Sequence, residues 1–89
     1  MNEREKSQIN ANMHRQNMVE KKYRHFKGGI YRVVDIAVHS ENAEMLVIYK
    51  SVDDESKVWA RPLEMFISEV DHLKYPEVKQ KYRFEEISE

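Results

Sequence analysis

The sequence predicts a mainly β protein: a small antiparallel barrel with an N-terminal helical arm and one short helical turn before the last strand. Between residues 23 and 61, runs rich in Val, Ile and Tyr alternate with short polar turns, a pattern typical of consecutive antiparallel strands. After residue 62 the apolar spacing becomes helical, and residues 1–22 are mostly polar. These observations divide the chain into an arm, residues 1–22, and a barrel domain, residues 23–89.

The arm is expected to form a marginal helix. Ile9 and Met13 lie four residues apart and mark a narrow apolar stripe, whereas asparagines at positions 10, 12 and 17 lower the helix propensity. A helix this short needs a surface on which to dock. The stripe could dock on the barrel or on a neighbouring copy, so a monomer and a weak homo-oligomer are both compatible with the sequence.

Five strands follow from the pattern, over residues 23–27, 30–38, 45–52, 58–61 and 82–87. The first ends at Gly28-Gly29, a turn signal, and Pro62 stops the fourth. In the second strand, alternation directs four aliphatic side chains to the core: Ile30, Val34, Ile36 and Val38. The other face is mixed and holds Tyr31, Val33, Asp35 and Ala37, followed by His39.

A helical turn is predicted directly after the fourth strand. Pro62 favours the first position of such a turn, and Leu63, Phe66 and Ile67 then share one face. Val70 extends this face. Five short strands with one helical turn before the last resemble a small SH3-like barrel, in which closure or near-closure also protects the sheet edges.

The composition excludes several classes of protein. The chain has 89 residues, 15 Lys and Arg against 16 Asp and Glu, and no cysteine. A disulfide scaffold, a thiol nucleophile and a thiolate metal site are therefore excluded. The sequence holds neither an apolar run of ~18 residues nor the apolar core of a signal peptide, so we expect a cytoplasmic protein without a membrane partner.

Polar and aromatic side chains on the predicted strands form a candidate ligand groove. Trp59 and Arg61 share a face of the fourth strand. Trp59 is either a core residue with Arg61 lying along it, or half exposed in a groove where Arg61 binds an anion with its planar guanidinium. Tyr31 could also pack under the arm, and Tyr49 could belong to the core. The expected groove residues are His25, Tyr31, His39, Glu41, Tyr49, Trp59 and Arg61.

His39 and Glu41 have the H-x-E spacing of zinc deaminases, which also require a P-C-x-x-C motif that a chain without cysteine cannot supply. The two residues could still form an acid–base pair in an enzyme or enzyme subunit. A local role is the alternative, in which Ser40 or Glu41 caps backbone amides of the turn. No serine-nucleophile, Gly-rich phosphate-loop or H-E-x-x-H motif occurs, so we assign no catalytic residue, no metal and no cofactor.

A basic segment with interleaved aromatic residues could bind nucleic acid. Its cations are Lys21, Lys22, Arg24 and Lys27. Residues 1–34 carry eight Lys and Arg against three Glu, a net charge of +5, and residues 35–89 carry seven against thirteen acidic residues, a net charge of -6. This asymmetry marks either an interaction face or a basic part that packs across the acidic remainder. Because the whole chain is nearly neutral, nucleic acid is not the favoured partner.

The ordered motifs are Tyr23-Arg-His-Phe-Lys-Gly-Gly-Ile-Tyr31, Ala37-Val-His-Ser-Glu41, Val47-Ile-Tyr49, Trp59-Ala-Arg-Pro-Leu-Glu-Met-Phe66 and Arg83-Phe84. Together they resemble a family of small bacterial proteins known as a domain of unknown function. The resemblance covers residues 23–84 and implies an SH3-like barrel, but it carries no activity. With the groove, it favours a non-enzymatic module that binds a small ligand or a protein partner.

Overall fold

The computed structural model describes residues 1–88, so residue 89, the last of the predicted barrel domain, lies outside the described residues. The elements are α1 (Glu3–Met18), β1 (Lys22–His25), β2 (Ile30–Val38), β3 (Met45–Ser51), β4 (Val58–Pro62), α2 (Leu63–Phe66) and β5 (Phe84–Ile87). The predicted mainly β fold, with an N-terminal helix and a short helix before the last strand, is confirmed.

The five strands form one antiparallel sheet in the order β4-β3-β2-β1-β5. The first four strands are joined as consecutive hairpins, and residues 67–83 carry the chain back so that β5 pairs with β1. The sheet curls so that its two edge strands, β4 and β5, approach each other. The evidence is the distance of 5.4 Å between the guanidinium carbon of Arg61 on β4 and the ring centroid of Phe84 on β5. The two edge strands therefore meet through side chains.

Aromatic rings fill the centre of the core. Phe66 on α2 is 1% exposed and stacks on Phe84, with ring centroids 4.1 Å apart and planes 7° apart. Tyr23 and Tyr49 each pack edge-to-face with Phe66, with ring centroids 5.3 and 5.4 Å apart. Edge-to-face and offset-stacked rings attract one another beyond their burial. The short helix α2 therefore acts as the plug of the curled sheet.

The helical face predicted after Pro62 is correct only in part. Leu63, Phe66 and Val70 are buried, as predicted, but Ile67 is 52% exposed. The reason is that α2 ends at Phe66, so the i, i+4 relation between Leu63 and Ile67 no longer fixes a common face.

A β-bulge in β2 overturns part of the predicted core. The register of β2 against β3 shifts between Val33 and Asp35. Val33 and Ile36 are consequently both fully buried, whereas Val34 is only half-buried and Asp35 is exposed. The prediction that Val34 faces the core and Val33 the mixed face was therefore wrong, because a bulge adds one residue to the alternation.

The helix α1 docks on β2 of the same chain, but not through the predicted stripe. Ile9 and Met13 are 50% and 62% exposed, whereas Ala11 and Met18 are buried in the core. The small side chain of Ala11, with 0% exposure, lets the helix backbone approach the sheet closely. Of the helices in residues 1–88, none is long and apolar enough to cross a membrane.

Ion pairs link the basic first part of the chain to the acidic remainder. Arg15 contacts Asp35 with an N–O distance of 2.9 Å, and Lys21 contacts Glu86 at 3.7 Å. Arg32 on β2 contacts Glu55 in the β3–β4 turn at 3.0 Å. The charge asymmetry of the sequence is thus partly neutralised within the fold.

The turn between β1 and β2 provides a matched pair of glycines. Gly28 and Gly29 have φ of +101° and +87°, and a Cβ on Gly29 would lie 3.2 Å from Cε2 of Tyr31. We expect Gly29→Ala to lower the free energy of unfolding by about 1–3 kcal/mol, through backbone strain and displacement of the Tyr31 ring. A Cβ on Gly28 would meet nothing within 4 Å, so Gly28→Ala reports the backbone cost alone.

Urea unfolding of the two glycine variants measures the difference. Gly29→Ala should be the less stable of the two, and the NMR signals of Tyr31 should shift only in that variant. Equal losses of stability with an unmoved Tyr31 ring would show that the contact in the turn is unimportant.

Candidate functional site

Five of the seven predicted groove residues line one open cavity of about 170 Å³. Each of the five strands contributes to it, because side chains that face one side of a curled sheet converge. We call it the aromatic groove; its residues are His25, Tyr31, Tyr49, Trp59, Arg61 and Phe84.

Trp59 forms an exposed wall of the aromatic groove, and Tyr49 forms its floor. The two residues are paired across β3 and β4, yet Trp59 is 50% exposed and Tyr49 only 4%. Trp59 is therefore the half-exposed residue of the second interpretation and not a core residue. Tyr31 and Tyr49 pack edge-to-face, with ring centroids 5.5 Å apart, so ring–ring packing holds the floor and one side of the groove.

Arg61 is held in position from two sides. Its Nε donates a hydrogen bond to the Tyr49 hydroxyl, at 3.2 Å, and its guanidinium lies over the Phe84 ring, a cation–π arrangement. Within residues 1–88, no carboxylate lies within 4.0 Å of Arg61. The two terminal nitrogens of its planar fork therefore remain suited to a carboxylate or phosphate acceptor.

His25 connects the aromatic groove to the β1–β2 turn. Its Nδ1 accepts a hydrogen bond from the Lys27 amide, at 3.1 Å, which leaves the proton of the neutral ring on Nε2. Burial lowers the pKa of His25, and the positive charges of Arg61, Lys27 and Arg83 lower it further. At neutral pH the ring is thus an uncharged donor beside several cations.

Residues 21–86 match the model of a family described as a protein of unknown function, DUF1653. The chain belongs to the DUF1653 family. No curated protein and no solved structure in the comparisons matches the chain. All six residues of the aromatic groove lie inside the DUF1653 match, whereas α1 lies outside it. The predicted resemblance to a domain-of-unknown-function family is confirmed.

Phe84 is the groove residue that sequence reasoning missed in this DUF1653 domain. It follows Arg83 in the last of the family motifs and is 6% exposed. Phe84 could have been assigned to the groove from the sequence, because it alternates with Tyr82 in the predicted last strand. That strand had to pair with a neighbouring strand whose inner face was already aromatic.

His39 and Glu41 are not brought to the aromatic groove. They lie in the turn between β2 and β3, where Nδ1 of His39 accepts hydrogen bonds from the amides of Glu41, at 3.1 Å, and Asn42, at 3.4 Å. The capping role that the sequence assigned to Ser40 or Glu41 therefore belongs to His39. Glu41 lies instead beside the start of α1, in a cavity that includes Asn2.

This placement does not provide the geometry of an acid–base pair. In the part of the chain that is described, no hydrogen bond joins the side chains of His39 and Glu41, and the His39 Nδ1 is already used by two amides. The same residues 1–88 contain no group of three or more His, Asp or Glu side chains that could hold a metal ion.

The four cations of the proposed nucleic-acid segment are divided between two surfaces. Lys21 and Lys22 line one cavity together with Glu86, and Arg24 is exposed on β1. Lys27 lies beyond the end of β1, against the loop of residues 67–83. A continuous basic track of the kind that follows a nucleic-acid backbone is not formed by these four residues.

The lowered pKa of His25 predicts a pH dependence of stability. Because the folded state binds the proton of His25 more weakly than the unfolded state, the folded state loses stability as the pH falls below the ordinary histidine pKa of about 6.5. The loss levels off below the folded-state pKa. An NMR titration of the His25 ring protons should give a midpoint below 6.5, and Arg61→Gln should raise it by removing a positive charge. A midpoint unaffected by Arg61→Gln would contradict this assignment.

Proposed function

We propose that this DUF1653 protein is a non-enzymatic binding module whose ligand lies in the aromatic groove. In this proposal the flat apolar part of the ligand packs on Trp59 and an anionic group of the ligand contacts Arg61. The observation that carries the proposal is the convergence of a half-exposed Trp59 with an Arg61 that is already fixed by Tyr49 and Phe84.

The charge of the groove supports an anionic ligand over a cationic one. Aromatic cages bind quaternary ammonium groups through ring faces, but here the Arg61 guanidinium itself occupies the face of Phe84. A second cation would meet both the repulsion of Arg61 and a ring that is already used. A carboxylate or phosphate, by contrast, would accept the two parallel hydrogen bonds that arginine offers.

A pair of small probes of opposite charge tests this proposal. Benzoate and benzylamine each combine a flat ring with one charge, and benzoate should bind with a Kd on the order of millimolar, as expected for so small a ligand. Amide shifts should map to β4 and to the β1–β2 turn, and the fluorescence of Trp59, the one tryptophan of the chain, should change on binding.

Matched variants identify the groove. Trp59→Leu and Arg61→Lys should each weaken benzoate binding, the latter because lysine is a point charge without the planar fork. Val58→Ala is the control, since Val58 is the exposed neighbour of Trp59 on the opposite face of β4. Equal binding of benzoate and benzylamine, or shifts scattered away from the groove, would reject the proposal.

A further inference from the structure

A second cavity, of about 360 Å³, adjoins the aromatic groove and shares His25 and Arg61 with it. We call it the basic pocket, because four of its lining residues are permanent cations. They are Lys27, Arg61, Lys74 and Arg83. We infer that the basic pocket binds a dianionic phosphate group, the terminal phosphate of a phosphomonoester.

The cations of the basic pocket form no ion pair within the part of the chain that the structure describes. Among residues 1–88, none of the four lies within 4.0 Å of a carboxylate oxygen. Asp71 also lines the pocket, but its Oδ1 accepts the amides of Leu73 and Lys74, at 3.1 and 3.3 Å. In a chain whose net charge is -1, four clustered cations facing one carboxylate repel one another until an anion enters.

Arg83 gives a second, independent observation. Its Nε is buried and has no hydrogen-bond partner within the described residues, although a buried N–H group normally has one. The backbone on both sides is fixed, since the Arg83 amide donates to Ser68 O at 3.0 Å and its carbonyl accepts from the Phe26 amide at 3.0 Å. Because this Nε is shielded, an anion in the basic pocket would be contacted by the terminal nitrogens of Arg83, whose side chain lines the pocket.

Lys27 and Lys74 both approach one aromatic ring of the pocket, that of Tyr75. Their Nζ atoms lie 5.1 and 5.5 Å from the centroid of Tyr75. A hydrogen bond from Lys27, together with the charges of both lysines, lowers the pKa of the Tyr75 hydroxyl, as expected in a region of positive potential. Two lysines, two arginines and the Nε2–H of His25 suit a dianion better than a singly charged carboxylate.

The loop that builds the pocket also points to a function. Residues 67–83 contain no helix and no named strand, and a connection of this length in a small domain is uncommon unless it serves a function. The loop is nonetheless ordered by defined hydrogen bonds. Val70 N donates to Lys81 O at 2.8 Å, and the Gln80 side-chain amide donates to Arg24 O at 3.1 Å.

The shared residues place the phosphate next to the aromatic groove. If the groove binds a flat ring, as proposed above, the whole ligand is a phosphomonoester of a ring compound, of the size of a nucleoside monophosphate. This second step rests on the proposed function, whereas the phosphate site itself does not.

The test is a titration of the full chain, followed by amide shifts, with methyl phosphate, dimethyl phosphate and acetate. Methyl phosphate should bind most tightly and shift the amides of Lys27, Tyr75 and Arg83. Lys74→Gln and Arg83→Gln should each weaken it by about tenfold or more, the ordinary effect of removing one charged hydrogen bond. Lys57→Gln is the control, because Lys57 is exposed in the β3–β4 turn.

Since Arg83 is partly buried, the thermal midpoint of Arg83→Gln is measured as well, to show whether this variant is folded. If it unfolds, Lys74→Gln alone decides the test, because Lys74 is exposed. Equal affinity for acetate or for the singly charged dimethyl phosphate would overturn the inference. An equal loss in Lys57→Gln would do the same, since it would show non-specific attraction only.

Adenosine 5′-monophosphate, ribose 5-phosphate and adenosine separate the two sites. Adenosine 5′-monophosphate should bind more tightly than either of the others, and Trp59→Leu should remove its advantage over ribose 5-phosphate. If Lys74→Gln weakens binding and Trp59→Leu does not, the phosphate site stands and the groove proposal fails. If Trp59→Leu weakens binding and Lys74→Gln does not, the phosphate site fails and the groove stands.

Discussion

Replacing Phe66 by alanine is expected to lower the free energy of unfolding by about 3–5 kcal/mol. Phe66 is 1% exposed, stacks on Phe84 at 4.1 Å and packs edge-to-face with Tyr23 and Tyr49. Removing the ring leaves a cavity that three other aromatic side chains border, and these stiff rings cannot collapse into it. The protein loses both the burial and the ring–ring attraction.

A loss of this size is a large part of the total stability, which for a chain of this length is on the order of 4–13 kcal/mol. We expect the melting temperature to fall by roughly 20 °C, as measured by circular dichroism. Met65→Ala is the matched control, because Met65 is the preceding residue of α2 and is 44% exposed. It should cost well under 1 kcal/mol, and similar losses in both variants would show that α2 is not the plug of the core.

Replacing Arg15 by alanine should lower the free energy of unfolding by about 2 kcal/mol, through the docking of α1. The guanidinium reaches the β-bulge: Nε donates to Asp35 Oδ1 at 2.9 Å, and Nη2 donates to the Ile36 carbonyl at 2.6 Å. A further bond to Asn12 fixes the side chain on its own helix. Without Arg15, the Ile36 carbonyl loses its charged donor and Asp35 loses its counter-charge.

Hydrogen exchange of α1 reports this loss directly, because amide protection in the helix depends on docking. Arg4→Ala is the control on the same helix, since Arg4 makes one exposed hydrogen bond, of 3.3 Å, to Ser40 O. Arg15→Lys should recover part of the stability but not the second hydrogen bond. Unchanged protection of α1 in Arg15→Ala would show that the burial of Ala11 and Met18 alone holds the helix.

The strands and most residues of the aromatic groove could be predicted from the sequence, because side chains alternate regularly between the two faces of an uninterrupted strand. Trp59 and Arg61 lie two residues apart on β4, so they had to share a face wherever the strand lay. His39 and Glu41 follow the end of β2, where alternation no longer decides which way a side chain points. The contacts of the His39 ring with the turn amides then fixed its place.

The bulge and the helix face could not be predicted for a different reason. Val33 and Val34 are chemically identical neighbours, so the pattern does not say which of them is buried. On α1, one of the two residues that face the core is Ala11, whose small side chain carries almost no hydrophobic signal but permits close contact. Lys74 and Arg83 of the basic pocket belong to a loop in which apolar residues have no regular spacing. Only the tertiary contacts of the loop determine where these two side chains lie.

The bulge also determines how β2 tolerates changes of chain length. Val33 and Ile36 both face the core with two residues between them, one more than regular alternation needs. Deleting Val34 would therefore leave every other side chain of the strand on its present face, and deleting Asp35 would likewise keep Val33 and Ile36 in the core. A deletion outside the bulge would instead reverse the faces of the residues that follow it. Natural relatives that are one residue shorter here could keep the same core without compensating substitutions.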